Sequence, residues 1–255
     1  MIDIHCHIIP EIDDGPNSIE ESLAMADIAE NDGIKTIVAT PHFLEGLYQP
    51  TSYYILNKIR NLNNYLASNN INLKIISGAD LHISHEIVER IKSNEFLTIN
   101  GTRYVLIELP SQFLHDKIKE LLRKMINNSL IPIISHPERN YLFQRSPNLL
   151  YDYIKDGALA QVTAMSITGD FGYEAKRTAK KMIINRLVQI IASDAHSKES
   201  RPPILSKALN AVSKILSPDE ANDMVQTIPE SVINGHKVYI SPPEKVKNLF
   251  SLFAR

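Results

Sequence analysis

A single cysteine in 255 residues leaves no partner for an internal disulfide and fits a reducing compartment. No apolar run reaches the roughly 18 residues that a membrane span needs. The chain opens Met-Ile-Asp-Ile-His-Cys-His, with no basic segment followed by an apolar one, so no secretion leader is expected and the location is read as cytoplasmic. Charge of one sign is also lacking: the formal net charge is −2, which gives no electrostatic basis for a nucleic-acid partner. Fixed-period repeats, low-complexity stretches and Pro/Gly-rich linkers are missing too, so residues 1–255 read as one domain, a size at which α/β barrels commonly form single units.

What is present is a rhythm. Short runs rich in Ile, Val and Leu alternate with longer amphipathic segments, as parallel βα units do. Seven runs are expected as strands: Ile2–His5, Ile34–Thr40, Leu73–Gly78, Tyr104–Leu109, Ile131–Ser135, Leu159–Thr163 and Leu187–Ser193. The first helix is predicted to start at a capping box, Ser18 with Glu21, and to stop before Gly33. Further helices are expected over Tyr53–Ala67, His115–Asn128, Pro147–Lys155, Tyr173–Asn185 and Pro203–Leu216. Such a pattern suits either a closed barrel or an open doubly wound sheet. From about Ser217 the rhythm ends, and extra helices plus a tail are expected.

Chemistry-bearing residues collect at the C-terminal ends of the runs. The first delivers His5, His7, Asp13 and Asp14; the second His42; the third Asp80; the fourth Glu108; the fifth His136; the seventh Asp194 and His196. Barrel enzymes place catalytic groups on that face, and imidazole mixed with carboxylate suits Zn²⁺, Mn²⁺ or Fe²⁺. A multi-metal site is therefore expected. Blander readings exist for each piece: His5-x-His7 as incidental histidines, Ser-Asp-Ala-His at 193–196 as a helix cap, and Asp13 or Asp14 before Gly15 as a turn. His82, His85, His115 and His236 lack a strand-end context and read as surface or helix residues. Cys6 as a phosphatase nucleophile is excluded by spacing, because an arginine is needed six residues later and Ile12 stands there. It should instead face the barrel wall.

The opening ten residues with Asp13-Asp14-Gly15, Thr-Pro-His at 40–42, Ile-Glu-Leu-Pro at 107–110, His-Pro-Glu-Arg-Asn at 136–140 and Ser-Asp-Ala-His at 193–196 resemble the polymerase and histidinol phosphatase (PHP) superfamily. More narrowly, they resemble its capsule-associated bacterial tyrosine-protein phosphatases of the CpsB/CapC/YwqE type. The resemblance implies a distorted seven-stranded, TIM-like β/α barrel. It also implies three divalent ions, often manganese, with Zn, Fe, Co or Mg as alternatives. The substrate implied is phosphotyrosine on a partner autokinase that controls capsular and exopolysaccharide synthesis.

By the same resemblance, His5 and His7 with Asp194 would hold one ion, Glu108 with His136 a second, Asp80 would bridge these two, and Asp14, His42 and His196 would hold the third. The family pattern has glutamate at the bridging position, so Asp80 is one methylene short. Three such ions would outweigh Asp14, Asp80, Glu108 and Asp194 by about two charges, enough to meet a phosphate dianion. Attack by metal-activated hydroxide is the mechanism expected, with no covalent enzyme intermediate. Arg139 and Arg201 would bind phosphate oxygens, the alternative being surface ion pairs. His42 or His196 would assist the leaving group if an ion leaves it free. Competing functions are a small-molecule phosphatase such as histidinol phosphatase, a DNA phosphodiesterase, and a non-enzymatic kinase-binding module. The tail Lys245–Arg255, with Leu249, Phe250, Leu252 and Phe253 among basic residues, would either cover one barrel end or bring the protein near a membrane or the kinase.

Overall fold

A computed structural model describes residues 1–111 and 115–247. The expectation for Leu249, Phe250, Leu252 and Phe253 therefore lies outside the described residues. Nine strands occur among them: β1 (Ile2–Cys6), β2 (Thr36–Ala39), β3 (His42–Phe43), β4 (Lys74–Ser77), β5 (Asp80–His82), β6 (Tyr104–Glu108), β7 (Ile131–Ile134), β8 (Leu159–Thr163) and β9 (Ile190–Ala192). They form two parallel sheets, β1-β2-β4 and β3-β5-β6-β7-β8-β9. The last strand returns to the first, since His7 N–H donates to the Ala195 carbonyl and Asp194 N–H to the His5 carbonyl, both at 2.8 Å.

The count differs from the seven strands expected because two chain runs are each broken before a short second strand. One break falls at Thr40-Pro41, where proline supplies no N–H to the ladder. The other falls at Gly78, where a Cβ would lie 2.6 Å from Val38 Cγ1. That approach excludes a side chain and lets the chain step from β4 into β5. Both short strands begin on a residue of interest, His42 and Asp80, and these two are register partners.

Alternation along the strands separates two cores. Ile4, Val38, Ile76, Leu106, Ile133, Leu159 and Ile190 face one another inside the sheet. Ile37, Ile75, Val105, Ile107, Ile134, Val162 and Ile191 pack outward against helices. Each such burial contributes about 1.5–3 kcal/mol. By strict parity Cys6 would join Ile2 and Ile4 inside, yet it lies in the outer core. A register irregularity between Asp3 and Cys6 reverses the parity. That bulge sends Cys6 to the wall and turns His5 and His7 inward.

The helices are α1 (Ile19–Asn31), α2 (Ser52–Ser68), α3 (Ile87–Lys92), α4 (His115–Asn127), α5 (Tyr141–Arg145), α6 (Asn148–Lys155), α7 (Ala164–Thr168), α8 (Tyr173–Ile184), α9 (Ser206–Val212), α10 (Pro218–Asp223) and α11 (Thr227–Ile233). Ser18 caps α1, but the Glu21 carboxylate accepts from Asn17 N–H and not from Ser18, so the expected capping box is half formed. The complete box is Ser217 with Glu220 at α10. Helix α9 starts later than expected, with Asp32 accepting from Leu205 N–H and Ser206 N–H. The extension after 217 closes the end remote from the histidines: Val225 and Met224 carbonyls accept from Ile2 and Ile191 N–H. No described helix is long and apolar enough to cross a membrane.

Candidate metal centre

At the C-terminal strand ends, side chains from β1, β3, β5, β6 and the turns after β7 and β9 converge. His5 and His7 point their Nε2 atoms at each other at 3.2 Å. Asp194 Oδ1 lies 3.3 Å from His5 Nε2 and 3.7 Å from His7 Nε2. Asp80 Oδ2 stands 3.7 Å from His5 Nε2 and 3.4 Å from His42 Nδ1. On the outer side, Asp14 Oδ1 lies 3.4 Å from His196 Nε2 and 3.6 Å from His42 Nε2. Glu108 sits 3.6 Å from His136 Nε2 through Oε1 and 3.7 Å from His42 Nδ1 through Oε2.

The shortest of these separations, 3.2–3.4 Å, are also those of donors that share an ion. Donors about 2.1 Å from one ion lie about 3.0–3.4 Å from each other. Three groups are close enough to share an ion: His7, Asp14, His42 and His196; His5, His7 and Asp80; and His42, Asp80 and Glu108. His7 thus stands with the Asp14 group as well as with His5, and His42 lies between Asp14 on one side and Asp80 with Glu108 on the other.

Two observations test whether divalent ions fit. Asp80 is fully buried, and neither of its oxygens has a hydrogen-bond partner among the described residues; a buried carboxylate is costly unless a cation meets it. Second, three histidines have Nδ1 occupied from behind. His5 Nδ1 lies 3.1 Å from Gln161 Oε1, His7 Nδ1 2.7 Å from Asp13 Oδ2, and His196 Nδ1 3.0 Å from the Asp194 carbonyl. Those oxygens only accept, so each Nδ1 carries the hydrogen and each Nε2 presents a lone pair to the centre. The residues fit metal ions.

Electrostatics agree. Burial, then His196, His42 and His5, hold His7 well below the usual imidazole range, and burial with Arg139 does the same for His136. Both are neutral, as ligands must be. Burial would raise Asp194, Asp80 and Glu108, but the facing imidazoles and, for Asp194, Arg139 and Arg201 outweigh it and all three are lowered. Asp14 falls to about 2, chiefly through its hydrogen bond with His196. Unlike His7 and His136, His42 moves up, to about 9: burial opposes its charge, and Asp80, Glu108 and Asp14 together overcome that. Carboxylates that hold a proton on His42 would equally hold a metal cation.

The arginines occupy one wall. Arg139 Nη2 lies 2.5 Å and Arg201 Nη2 2.7 Å from the same oxygen, Asp194 Oδ2, and Arg201 also donates to the Asp194 carbonyl at 2.9 Å. Each is thus in an ion pair, with the buried Asp194 and not with a surface carboxylate. His42 and His196 were also expected as proton donors if left free. His196 has both ring nitrogens engaged, and both nitrogens of His42 face carboxylates, which favours ligation for each.

Several residues were passed over in the sequence. His82 is neither a helix residue nor a fully exposed one: it is half-buried on β5, two positions after Asp80 and so on the same face, with Nε2 3.2 Å from Glu108 Oε2. Asp13 does close a turn, accepting from Gly15 N–H, while its other oxygen orients His7 and accepts from His42 N–H. Gly15 permits this, since a Cβ there would lie 2.5 Å from the His7 carbonyl oxygen. Asp3 accepts from Ser193 and His5 behind the centre, and burial pushes it up to about 6 against those hydrogen bonds. Cys6 is buried, and burial followed by Asp3 pushes its thiol well up, the opposite of a nucleophile's need.

Comparison with known proteins places this geometry among relatives. The profile of the family described as capsular polysaccharide synthesis, CpsB/CapC, matches residues 1–234. The chain is 33% identical over 255 residues to the tyrosine-protein phosphatase YwqE of Bacillus subtilis (strain 168), spanning 99% of this chain and 100% of that one. It is 39% identical over 210 residues to CapC of Staphylococcus aureus, with 82% of each covered. Among solved structures of YwqE from Bacillus subtilis and CpsB from Streptococcus pneumoniae, metal-dependent tyrosine phosphatases, one chain superposes with a TM-score of 0.94 at 32% identity, covering 97% of this chain and 100% of that one. Histidinol phosphate phosphatase from Lactococcus lactis shares the fold alone, with a TM-score of 0.55 at 13% identity over 84% of this chain and 93% of that one.

Proposed function

We propose, from the premise that this chain belongs to the capsular polysaccharide synthesis family CpsB/CapC, that it is a metal-dependent protein-tyrosine phosphatase. The observation that carries the reading is the inward convergence of three oriented Nε2 atoms, those of His5, His7 and His196, near the buried Asp80 carboxylate, whose oxygens have no hydrogen-bond partner among the described residues. His5, His7 and Asp194, Glu108 and His136, Asp80, and Asp14, His42 and His196 are the donors we assign to three divalent ions, manganese first among the candidates. We further read the nine strands as seven barrel staves, with β2–β3 and β4–β5 each one broken stave.

When bound, such ions lower the pKa of water to about 7 and offset phosphate charge. The chain's own residues do the rest. Asp13, Gln161 and the Asp194 carbonyl fix the imidazole tautomers. Arg139 and Arg201 are placed to donate to phosphoryl oxygens from the Asp194 side, where charge grows as the ester bond breaks. A tyrosine phenolate, with a pKa of about 10, leaves without a dedicated acid, so His196 can stay committed to Asp194 and Asp14. The substrate we favour is phosphotyrosine on an autokinase of the polysaccharide system, met in the cytoplasm; the buried, free Cys6 suits that compartment.

The test is hydrolysis by metal-loaded protein of a phosphotyrosine peptide, a phosphoserine peptide and histidinol phosphate. Preference for the first supports the reading. Preference for histidinol phosphate moves the site to small molecules, and no hydrolysis with metal bound leaves a kinase-binding module.

A further inference from the structure

We propose that Phe171 is a positioning residue for phosphate capture: its ring is the shelf on which Arg139 and Arg201 both lie, holding them at the mouth of the centre when phosphate draws them off Asp194. The inference rests on the phosphatase reading above. The guanidinium carbons of Arg139 and Arg201 lie 4.9 and 5.6 Å from the Phe171 ring centroid. The two cations come from different turns, after β7 and after β9, and crowd one carboxylate oxygen at 2.5 and 2.7 Å.

Two like charges so placed repel each other. Asp194 Oδ2 offsets this in the free protein. During turnover that carboxylate would be shared with metal through Oδ1, and phosphate would compete for the guanidiniums. A ring face carries negative potential that attracts cations without offering an acceptor atom. Phe171 can therefore hold both arginines while leaving their N–H groups for substrate. The Nε–H of each arginine has no hydrogen-bond partner among the described residues and is shielded from solvent, so it becomes available only as the guanidinium turns off Asp194.

The shelf is also fixed relative to Arg139. Glu138, its fully buried neighbour, accepts from Thr163 N–H at 3.1 Å and Ser166 Oγ at 2.6 Å, at the start of α7. Gln144 Nε2 donates to the Glu138 carbonyl. Helix α7 ends at Thr168 and is capped by Gly169, and Phe171 follows two residues after the cap. The turn that carries Arg139 and the loop that carries the ring are thus joined through Glu138. Because the ring offers no polar atom to the reacting phosphoryl group, its role is positioning.

The experiment compares wild type, Phe171→Leu and Phe171→Tyr, all metal-loaded. It measures metal content, calorimetric affinity for inorganic phosphate, kcat and KM on a phosphotyrosine peptide, and the NMR shifts of the arginine Nε–H groups. For Phe171→Leu we expect unchanged metal content, a fall of about tenfold in phosphate affinity and in kcat/KM, and loss of the ring-current shift at both arginines. Phe171→Tyr keeps an aromatic face and should restore phosphate affinity to within about threefold. Wild-type phosphate affinity in Phe171→Leu, or a Tyr variant no better than Leu, overturns the proposal. A wild type that binds phosphate but does not cleave phosphotyrosine overturns the functional reading instead, while the phosphate and NMR comparisons still decide the shelf.

Discussion

Asp80 and His42 face each other across adjacent parallel strands, and Asp80 Oδ2 reaches within 3.4 Å of His42 Nδ1. His5 Nε2 approaches the same oxygen at 3.7 Å. One buried carboxylate thus stands between His5 and His42, the position that the bridging role proposed for it needs.

If Asp80 bridges, charge matters more than shape. Asp80→Asn keeps the shape but turns an amide toward the site, and metal content should fall with turnover by about 10–100-fold. Asp80→Glu restores the chain length of the family pattern at some packing cost, about 1–3 kcal/mol in a filled site, and should keep more activity than Asn. Measured at full metal loading, an Asn variant more active than Glu removes Asp80 from the ligand set.

Protons should leave as metal enters. His42 has a pKa of about 9 in the metal-free protein, against an ordinary 6.5. At pH 7 it is charged, and it must lose that proton to coordinate. Apparent metal affinity should therefore rise about tenfold per pH unit up to about 9 and then level off. The sign for the metal-free fold is opposite: stability from the raised pKa is full below 6.5 and is lost as pH climbs through 9. Calorimetry in buffers of different ionisation enthalpy counts the protons; a pH-independent affinity between 7 and 9 would falsify ligation by His42.

Gln161 separates orientation from ligation. Its Oε1 fixes the His5 tautomer, yet its Nε2 is buried without a partner among the described residues. Gln161→Leu removes both features and also the acceptor of the His136 N–H at 3.3 Å, so stability should fall by about 1–3 kcal/mol. Freed to rotate or change tautomer, His5 should hold metal about 10–100-fold more weakly. Unchanged metal affinity with a stable fold would show that His5 needs no such partner.

Much of this centre was legible because strand ends are marked by local sequence: an Ile-rich run followed at once by histidine or carboxylate. His5, His42, Glu108, His136 and Asp194 stand out in that way. His82 did not, because β5 is three residues long and its parity with Asp80 shows only once a strand is known to restart after Gly78. The role of Asp13 was hidden behind its own turn, since the same carboxylate serves Gly15 and His7. The inward turn of His5 and His7 depends on a register irregularity in β1, which side-chain alternation cannot reveal. Phe171 carries no chemical signal in sequence, and its relation to Arg139 and Arg201 arises only from three loops meeting.

Arg139 offers the sharpest division between structure and chemistry. In the free protein it neutralises Asp194 Oδ2, but Arg201 does so as well, at 2.7 Å. Removing one of two cations leaves the carboxylate paired, so Arg139→Ala should keep its metal within a factor of about two. Phosphate loses a donor, and turnover should fall by about 10²–10³, the usual cost of one transition-state donor. Arg139→Lys tests geometry beyond charge: an ammonium offers a point charge without the planar fork, and should recover only part of the loss. If the real task of Arg139 were to hold Asp194 for metal, Ala would release metal, Lys would restore it, and activity per bound metal would stay constant across the series. Metal analysis beside kinetics on the same samples decides between the two, with falling activity per metal as the expected result.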